Sequence, residues 1–210
     1  MNVWQFIAQN WDQILHLTLE HLWLAGFSTF LAAIVAIPLG ILISRKPILS
    51  GPVITTANVI QTIPSLALFG FLLTAPWIGE RSGRLAILAL ALYALLPLIR
   101  NTYVGIKGVD PAVIEAARGM GMTNGQILWQ VELPLSLSVI IAGLRVAIVL
   151  SIGIATIAAA IGAGGLGEFI FRGLAMVNNA VILAGAIPAA LLAITADASL
   201  GWLEKRLTAH

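Results

Sequence analysis

Five long apolar stretches restrict the fold of this chain more than any other feature. They cover residues 20–44, 53–75, 85–106, 135–161 and 180–203. Each is near the ~20 apolar residues that one helix needs to cross a bilayer. Lipid offers no water to backbone N–H and C=O groups, so a continuous run of this length must pair them within a helix. The sequence therefore predicts an all-α integral membrane protein with about five transmembrane helices.

Composition excludes the other broad classes of protein. Hydrophobic residues make up 60% of the chain and charged residues only 10%, which is unlike a water-soluble domain. The net charge of +2 is too small to indicate a nucleic-acid partner. The chain has no cysteine, and His16 and His21 lie five residues apart, a spacing that shares one helical face poorly. We expect no metal site, and membrane lipid as the surroundings.

Residues 1–19 predict an amphipathic helix on the outer membrane surface. Trp4, Ile7, Trp11 and Leu15 recur at helical spacing, with polar residues between them. Tryptophan favours the level of the lipid headgroups. Two alternatives are open: the segment extends the first span, or it packs as a lever on a partner subunit.

Basic residues in the short connections predict the orientation of the chain, because Lys and Arg concentrate in cytoplasmic loops. They follow the first, third and fifth spans, at Arg45, Lys46, Lys107, Arg118, Lys205 and Arg206. The other side holds Arg81, Arg84 and Arg172, whose charge is partly offset by acidic residues. We therefore expect the N-terminus outside and the tail 204–210 in the cytoplasm.

A polar, glycine-broken segment, residues 110–134, separates the third and fourth spans. It contains Glu-Ala-Ala followed by Gly119, Gly121 and Gly125, and it ends at Pro134. Proline is tolerated in the first turn of a helix, so Pro134 is expected to open the fourth span. The segment must face water, and the loop charges place it in the cytoplasm.

The spacing within this segment resembles the cytoplasmic coupling motif of ABC importer permeases. That motif is Glu-Ala-Ala, three residues, Gly, nine residues, an aliphatic residue, one residue and Leu-Pro. The matching positions are Glu115, Ala116, Ala117, Gly121, Leu133 and Pro134. Val131 stands where the family usually has Ile. The resemblance implies the type I ABC importer transmembrane fold over residues 20–203, with a short helix that docks on an ATPase. We call residues 110–134 the coupling segment.

The chain lacks the phosphate-binding loop Gly-x-x-x-x-Gly-Lys-Ser/Thr, and no catalytic triad or paired-carboxylate site is evident. We therefore expect a transport subunit without enzyme activity and without a cofactor of its own. The resemblance implies that ATP and Mg²⁺ are bound by a cytoplasmic ABC ATPase dimer. It further implies a second permease chain, identical or paralogous, an external or periplasmic substrate-binding protein, and the bacterial cytoplasmic (inner) membrane.

The second span carries a polar stripe in an otherwise apolar helix. Its members repeat at helical spacing: Thr55, Asn58, Gln61, Thr62 and Ser65. We interpret Asn58, Gln61, Thr62 and Ser65 as lining the translocation pathway. The alternative, that they form hydrogen bonds between helices, is equally open. Pro64 is expected to free the carbonyl of Ile60. Interior prolines predict kinks in four spans: Pro38, Pro64, Pro97 and Pro188.

Arg145 and Asp197 are ionisable residues inside the fourth and fifth spans, where charge is costly and usually paired. Arg145 lies eleven residues beyond Pro134, or ~16 Å of helix. Asp197 precedes Lys205 by eight residues, so both belong to the cytoplasmic half. They are candidates for a buried ion pair, and the alternative is that Arg145 extends towards the headgroups.

Gly162, Gly164, Gly165 and Gly167 form a glycine-rich turn between the last two spans. Their order matches the dinucleotide pattern Gly-x-Gly-x-x-Gly. We reject that function, because the turn follows a membrane helix instead of a strand and lacks the acidic residue ~20 positions on. The sequence of residues 162–173 is similar to the turn between the last two spans of many such permeases, which implies a part in the outer gate. We call residues 162–167 the glycine turn.

Several further segments are similar to ABC permeases for osmoprotectants such as glycine betaine, carnitine and choline. They are residues 61–68, 93–97, 100–103, 109–111 and 115–122. With them the resemblance extends over almost the whole chain and implies import of a quaternary ammonium solute. Such solutes are held by aromatic cages, and Trp77, Tyr93 and Tyr103 are too scattered to form one. Selectivity is therefore expected in the external binding protein.

Three other functions are open. One is an ABC permease for another small solute, such as an amino acid or an organic sulfonate. Another is a secondary transporter, although five spans give no duplicated halves and Asp197 is the only deep carboxylate candidate. The last is a membrane scaffold that transports nothing.

Overall fold

Long helices account for most of the protein, for which a computed structural model describes residues 2–74 and 82–208. This part contains no strand. Its α-helices are α1 Val3–Gln9, α2 Trp11–Arg45, α3 Pro47–Thr62, α4 Ser65–Leu73, α5 Ser82–Lys107, α6 Pro111–Gly119, α7 Asn124–Ile127, α8 Leu133–Ala158, α9 Gly167–Ala175 and α10 Asn179–Thr208. Residue 75 of the predicted second span, Trp77, Arg81 and residues 209–210 lie outside the described residues.

Four helices are long and apolar enough to cross a membrane, and a bent pair, α3 with α4, is the fifth candidate. Helix α2 packs against α3, α5, α8 and α10, and α8 lies between α5 and α10. The apolar residues that meet at these contacts form clusters at successive levels of the bundle, one around Leu85, Leu90 and Tyr93 and one around Ile43 and Ile99. The predicted all-α membrane architecture with about five spans is confirmed.

Small residues let the helices of the bundle approach closely, as is common between membrane helices. A β-carbon at Gly40 of α2 would lie 2.6 Å from Cβ of Thr102 on α5. A β-carbon at Gly143 of α8 would lie 2.6 Å from Cβ of Asn101 and 3.0 Å from the carbonyl oxygen of Pro97, both on α5. Helix α5 is therefore in backbone contact with its neighbours on two sides.

The predicted N-terminal helix 1–19 is divided in the structure. Helix α1 ends at Gln9 and α2 begins at Trp11, so Trp11 and Leu15 belong to the first long helix. Phe6 of α1 packs edge-on against Phe169, with ring centroids 5.8 Å apart. Helix α1 is therefore attached to the same end of the bundle as the glycine turn, and the break at Asn10 lets it turn onto that surface.

The second span is broken at Pro64 instead of merely kinked. Helices α3 and α4 meet at an angle of 91°. The carbonyl of Ile60 is not free, because it accepts the N–H of Ile63 at 3.3 Å. The carbonyl released by the break is that of Ile63, and it accepts the hydroxyl of Tyr93 from α5. The other interior prolines lie within uninterrupted helices: Pro38, Pro97 and Pro188.

Pro134 lies in the first turn of α8, which begins at Leu133, as expected. It does not open the span as a whole, because the helix already begins ten residues earlier, at Asn124. A continuous helix runs from Asn124 to Ile161, with a π-helical turn at Leu128–Glu132. Such turns relieve the backbone where a proline follows, because the wider turn shifts the carbonyl that would meet its ring. The coupling segment therefore continues directly into α8.

Replacement of Gly143 by alanine should destabilise the bundle by about 1–3 kcal/mol, the usual cost of overpacking. The added methyl group would overlap Asn101 and Pro97, whose atoms belong to α5. Gly153 of the same helix has no heavy atom within 4 Å of the position that a β-carbon would take, so Gly153→Ala is the matched control. It should raise stability by about 0.5–1 kcal/mol, because alanine favours a helix over glycine. Thermal unfolding of the two purified variants in one detergent compares them, and equal midpoints would contradict the close contact.

Candidate functional site

Helix α6 carries the first three motif residues of the coupling segment, Glu115, Ala116 and Ala117, and both of its ends are capped. The Asp110 side chain accepts the N–H of Ala112 at 2.8 Å. At the other end the N–H of Met122 reaches the carbonyl of Ala117 at 3.1 Å and the N–H of Gly121 reaches that of Arg118 at 2.9 Å. These two bonds make a Schellman motif, which needs a left-handed residue at Gly121, and Gly121 has φ +81°. The motif glycine therefore ends the helix.

The two faces of α6 differ in exposure. Ala117 is buried, with 2% of its surface exposed, where α6 packs on α7 and the π-helical turn. Glu115 and Ala116 are exposed. Leu133 is half-buried and Pro134 exposed, at the beginning of α8. The coupling segment thus presents Glu115 and Ala116 outwards while Ala117 fastens α6 to the base of α8.

A reciprocal cap begins the long helix that follows. The side chain of Gln126 accepts the N–H of Thr123 at 2.8 Å, and the Thr123 hydroxyl accepts the N–H of Gln126 at 3.4 Å. This capping box satisfies two backbone donors at the N-terminus of α7. Ile127 lies under it with 2% exposure. The coupling segment therefore contains two capped helical ends joined by a tight turn.

An ion pair joins the π-helical turn to the end of the first long helix. Arg45 donates two hydrogen bonds to the Glu132 carboxylate, one of them at 3.0 Å from Nη1 to Oε1. The Glu132 side chain is 6% exposed and that of Arg45 is 38% exposed. A buried carboxylate is costly unless it is paired and hydrogen-bonded, so this bidentate contact fixes the position of α2 against the coupling segment.

The polar stripe of the second span is distributed over the broken pair α3 and α4. Asn58 and Thr62 are exposed, and Gln61 and Ser65 are half-buried. Gln61 donates to the carbonyl of Tyr93 on α5 at 3.5 Å, and Thr62 bonds within its own helix to the carbonyl of Val59 at 2.7 Å. Gln61 thus contacts another helix, whereas Asn58 and Thr62 point away from the chain's own core.

The glycine turn lies at the opposite end of α8 from the coupling segment. Gly162, Gly164 and Gly165 have φ of +75°, +87° and +78°, which only glycine adopts readily. Gly167 opens α9, and a β-carbon there would overlap the carbonyl of Thr156. The N–H of Gly165 donates to Glu20 at 3.1 Å and the N–H of Leu166 donates to Nδ1 of His21 at 3.3 Å.

Arg145 and Asp197 lie in contact, and a second carboxylate joins them. Arg145 donates from Nε and Nη2 to the two oxygens of Asp197 at 2.9 and 3.0 Å. Its Nη1 donates to Glu204 at 2.9 Å. The Asp197 side chain is 46% exposed, so the group is not buried within this chain. It ties α8 to α10 in the half of the bundle that carries the coupling segment.

Four of these side chains were outside the sequence-based site. Glu132 and Glu204 are acidic residues near predicted cytoplasmic ends, but partners 87 and 59 positions away cannot be deduced from spacing in one sequence. Glu20 and His21 stand where the first predicted span begins. A signal for them existed, because two titratable residues at the start of an apolar run are expected to have a partner.

Comparison with known families and proteins gives consistent matches. Residues 22–209 match the family described as "Binding-protein-dependent transport system inner membrane component". The chain is 50% identical to the glycine betaine/carnitine/choline transport system permease protein OpuCD of Bacillus subtilis, over 97% of this chain and 88% of that protein. It is 42% identical to the osmoprotectant import permease protein OsmW of Salmonella typhimurium, over 99% of this chain and 95% of that protein.

The fold is similar to that of a solved transporter. A chain of the MetNI methionine ABC transporter, solved in inward-facing conformations, superimposes with a TM-score of 0.84. The match covers 93% of this chain and 96% of that chain at 23% sequence identity. The arrangement of helices around α5 and α8 is therefore the fold of that chain.

Proposed function

Since this chain belongs to the family of binding-protein-dependent transport system inner membrane components, we propose that it is the permease subunit of an ATP-driven importer for quaternary ammonium osmoprotectants. The observation that carries the solute class is the identity of 40–50% to permeases named for glycine betaine, carnitine and choline, over 90–97% of the chain. The MetNI likeness concerns the fold, so it assigns no solute.

We propose that a separate ABC ATPase dimer binds ATP and Mg²⁺ and docks on α6. The supporting geometry is the exposed face with Glu115 and Ala116 on a helix fastened through Ala117. Because α7 continues into α8, displacement of α6 would act directly on a helix that crosses the bundle. A second permease chain, identical or paralogous, and an external substrate-binding protein complete the proposed importer.

We propose that the chain lies in the bacterial inner membrane with its N-terminus outside and its C-terminus in the cytoplasm. The supporting observation is that the charges and motifs separate by end. Arg45, Lys107 and the coupling segment share one end, which the basic residues make cytoplasmic. Helix α1 and the glycine turn share the other.

We propose that Asn58, Gln61, Thr62 and Ser65 border the translocation pathway, which forms against the second permease chain. Asn58 and Thr62 are exposed on a helix inside the membrane zone. Lipid is a poor partner for such groups, so a water-filled path or another subunit must cover them.

Reconstitution tests the solute class. The permease, its ATPase and its binding protein in vesicles should take up at least one of glycine betaine, carnitine and choline only when ATP is inside. Methionine and an organic sulfonate are the comparison solutes. Uptake of a comparison solute alone would contradict the proposed solute class and assign the permease to another one. Uptake driven by an ion gradient, with the ATPase catalytic residues disabled, would indicate a secondary transporter.

Replacement of Gly121 by alanine should impair coupling. Position 121 has φ +81° with open space around a β-carbon, so the cost is the left-handed backbone, about 1–2 kcal/mol. Because of that cost, the α6 helix should end with a different backbone conformation, and its exposed face should then be displaced. Uptake and ATPase co-purification should both fall several-fold.

The matched control for this change is Gly119→Ala. Gly119 is the last residue of α6, also has open space around it, and has no left-handed backbone. Its alanine variant should keep uptake and ATPase binding. Loss in both variants, or in neither, would contradict the proposed role of the helix end.

Replacement of Asn58 and Gln61 by leucine should abolish uptake while the complex with the ATPase still assembles. Leucine removes the polar groups that border the proposed pathway without a penalty in lipid. Val59→Leu is the control, because Val59 is an exposed apolar neighbour, at 57%. Size-exclusion chromatography separates the two interpretations: loss of assembly in the polar variants would assign them to helix packing.

A further inference from the structure

Two consecutive residues at the outer end of α2 hold two consecutive backbone N–H groups of the glycine turn. Glu20 Oε2 accepts from Gly165 at 3.1 Å, and His21 Nδ1 accepts from Leu166 at 3.3 Å. Among the described residues, one other side-chain hydrogen bond ties this turn to another helix. It runs from the hydroxyl of Ser82 to the carbonyl of Gly162 at 2.7 Å.

The hydrogen bonds of His21 fix its tautomer. Nδ1 faces the Leu166 N–H, so it must be the unprotonated nitrogen. Nε2 lies 2.9 Å from the carbonyl oxygen of Ile152 and therefore carries the proton that it donates. The residue has no exposed surface. One neutral ring thus connects α2, α8 and the glycine turn.

The glycines of the turn are fitted to these two side chains. A β-carbon at Gly164 would lie 2.6 Å from Glu20 Oε2, and one at Gly165 would lie 3.0 Å from His21 Nδ1. The turn therefore needs glycine for two reasons, a left-handed backbone and direct contact with α2. The turn therefore does more than connect two helices, because specific hydrogen bonds and close contacts hold it against α2.

We propose that Glu20 and His21 are positioning residues that latch the glycine turn closed, and that release of their two N–H bonds opens the outer end of the pathway. This inference rests on the proposed permease function. One helix connects the two sites. The continuous helix Asn124–Ile161 begins within the coupling segment, and the glycine turn follows directly at its far end. A displacement of the far end of α8 relative to α2 would pull the turn from the two acceptors.

The test uses the absence of cysteine from the native chain. Ala163→Cys places one thiol in the turn, at a half-buried position. Its reaction rate with a membrane-impermeant maleimide, in vesicles that contain the permease and ATPase, reports how open the turn is. In the parent the rate should rise when a non-hydrolysable ATP analogue closes the ATPase.

Replacement of His21 by asparagine or by glutamine tests the hydrogen bonds of its two ring nitrogens separately. Asparagine places its amide oxygen near the position of Nδ1 and keeps the acceptor for Leu166, whereas glutamine places its amide nitrogen near Nε2 and keeps only the bond to Ile152. His21→Gln should therefore label about tenfold faster than the parent without nucleotide, the factor for one hydrogen bond of ordinary net strength. His21→Asn should stay within about twofold of the parent. Simple space-filling predicts the reverse order, because glutamine is the larger residue.

Glu20 gives a second test that leaves the core intact. Its side chain is 40% exposed, so Glu20→Ala should assemble normally, label about tenfold faster and lose the response to nucleotide. Glu20→Gln keeps an acceptor oxygen and should resemble the parent. His16→Gln is the matched control, because His16 is 3.6 Å from Glu20 and 72% exposed and makes no bond to the turn.

The latch is overturned if His21→Gln and His21→Asn label alike, or if Glu20→Ala labels like the parent. If His21→Gln does not assemble, the labelling rate of Glu20→Ala decides alone: a rate equal to that of the parent overturns the latch. Labelling needs no solute, so an importer for some other solute would leave these results unchanged. A failure of the proposed solute class is therefore distinguishable from a failure of the latch.

Discussion

The need to pair every backbone polar group without help from water governs this structure. In lipid each unpaired N–H or C=O costs several kcal/mol. Wherever a helix is interrupted, another group of the protein must therefore hydrogen-bond to the backbone groups that the interruption leaves unpaired. The break at Pro64 leaves the carbonyl of Ile63, and Tyr93 on α5 donates to it. The glycine turn leaves the N–H groups of Gly165 and Leu166, and α2 supplies Glu20 and His21. Both of these irregular segments are thus bound to a helix distant in sequence.

The same requirement makes α8 the helix on which both ends of the molecule depend. The continuous helix Asn124–Ile161, of which α8 is the largest part, would be about 57 Å long at 1.5 Å per residue. At the coupling-segment end Glu132 binds Arg45 of α2, and near the middle of the helix Arg145 binds Asp197 of α10. At the other end the carbonyl of Ile152 binds His21. Polar contacts therefore hold this helix to its neighbours at Glu132, near its middle at Arg145, and towards the glycine turn at Ile152, in addition to the close packing at Gly143.

Local patterns in the sequence were sufficient to predict the spans and the positions of the polar segment 110–134 and of the turn 162–167 between them, because each depends on residues that are neighbours in the chain. Of the contacts between distant residues, the pairing of Arg145 with Asp197 was predictable, because two costly charges lie at comparable depth in their spans, but the others were not. Pro64 gives a 91° break instead of a kink, and the carbonyl that the break releases is satisfied by Tyr93 of another helix. Glu132 could not be matched with Arg45, since each lies at a predicted membrane boundary, where solvent is an equally good partner. Burial of the carboxylate, known only from the fold, makes that contact obligatory.

The close contacts of α5 restrict which parts of the bundle can move during transport. Gly40 of α2 and Gly143 of α8 both touch α5 where no methyl group fits, so sliding of either helix along α5 would drive side chains into backbone. Packed interfaces of this kind change by discrete steps instead of continuous deformation. Near these contacts α2, α5 and α8 must therefore move together. Relative motion is left to the ends of α8, where single side chains make the contact, and to the broken pair α3 and α4, whose polar face is exposed. Within the part of the chain that the structure describes, a displacement of α6 would therefore be relieved beside the glycine turn and the polar stripe.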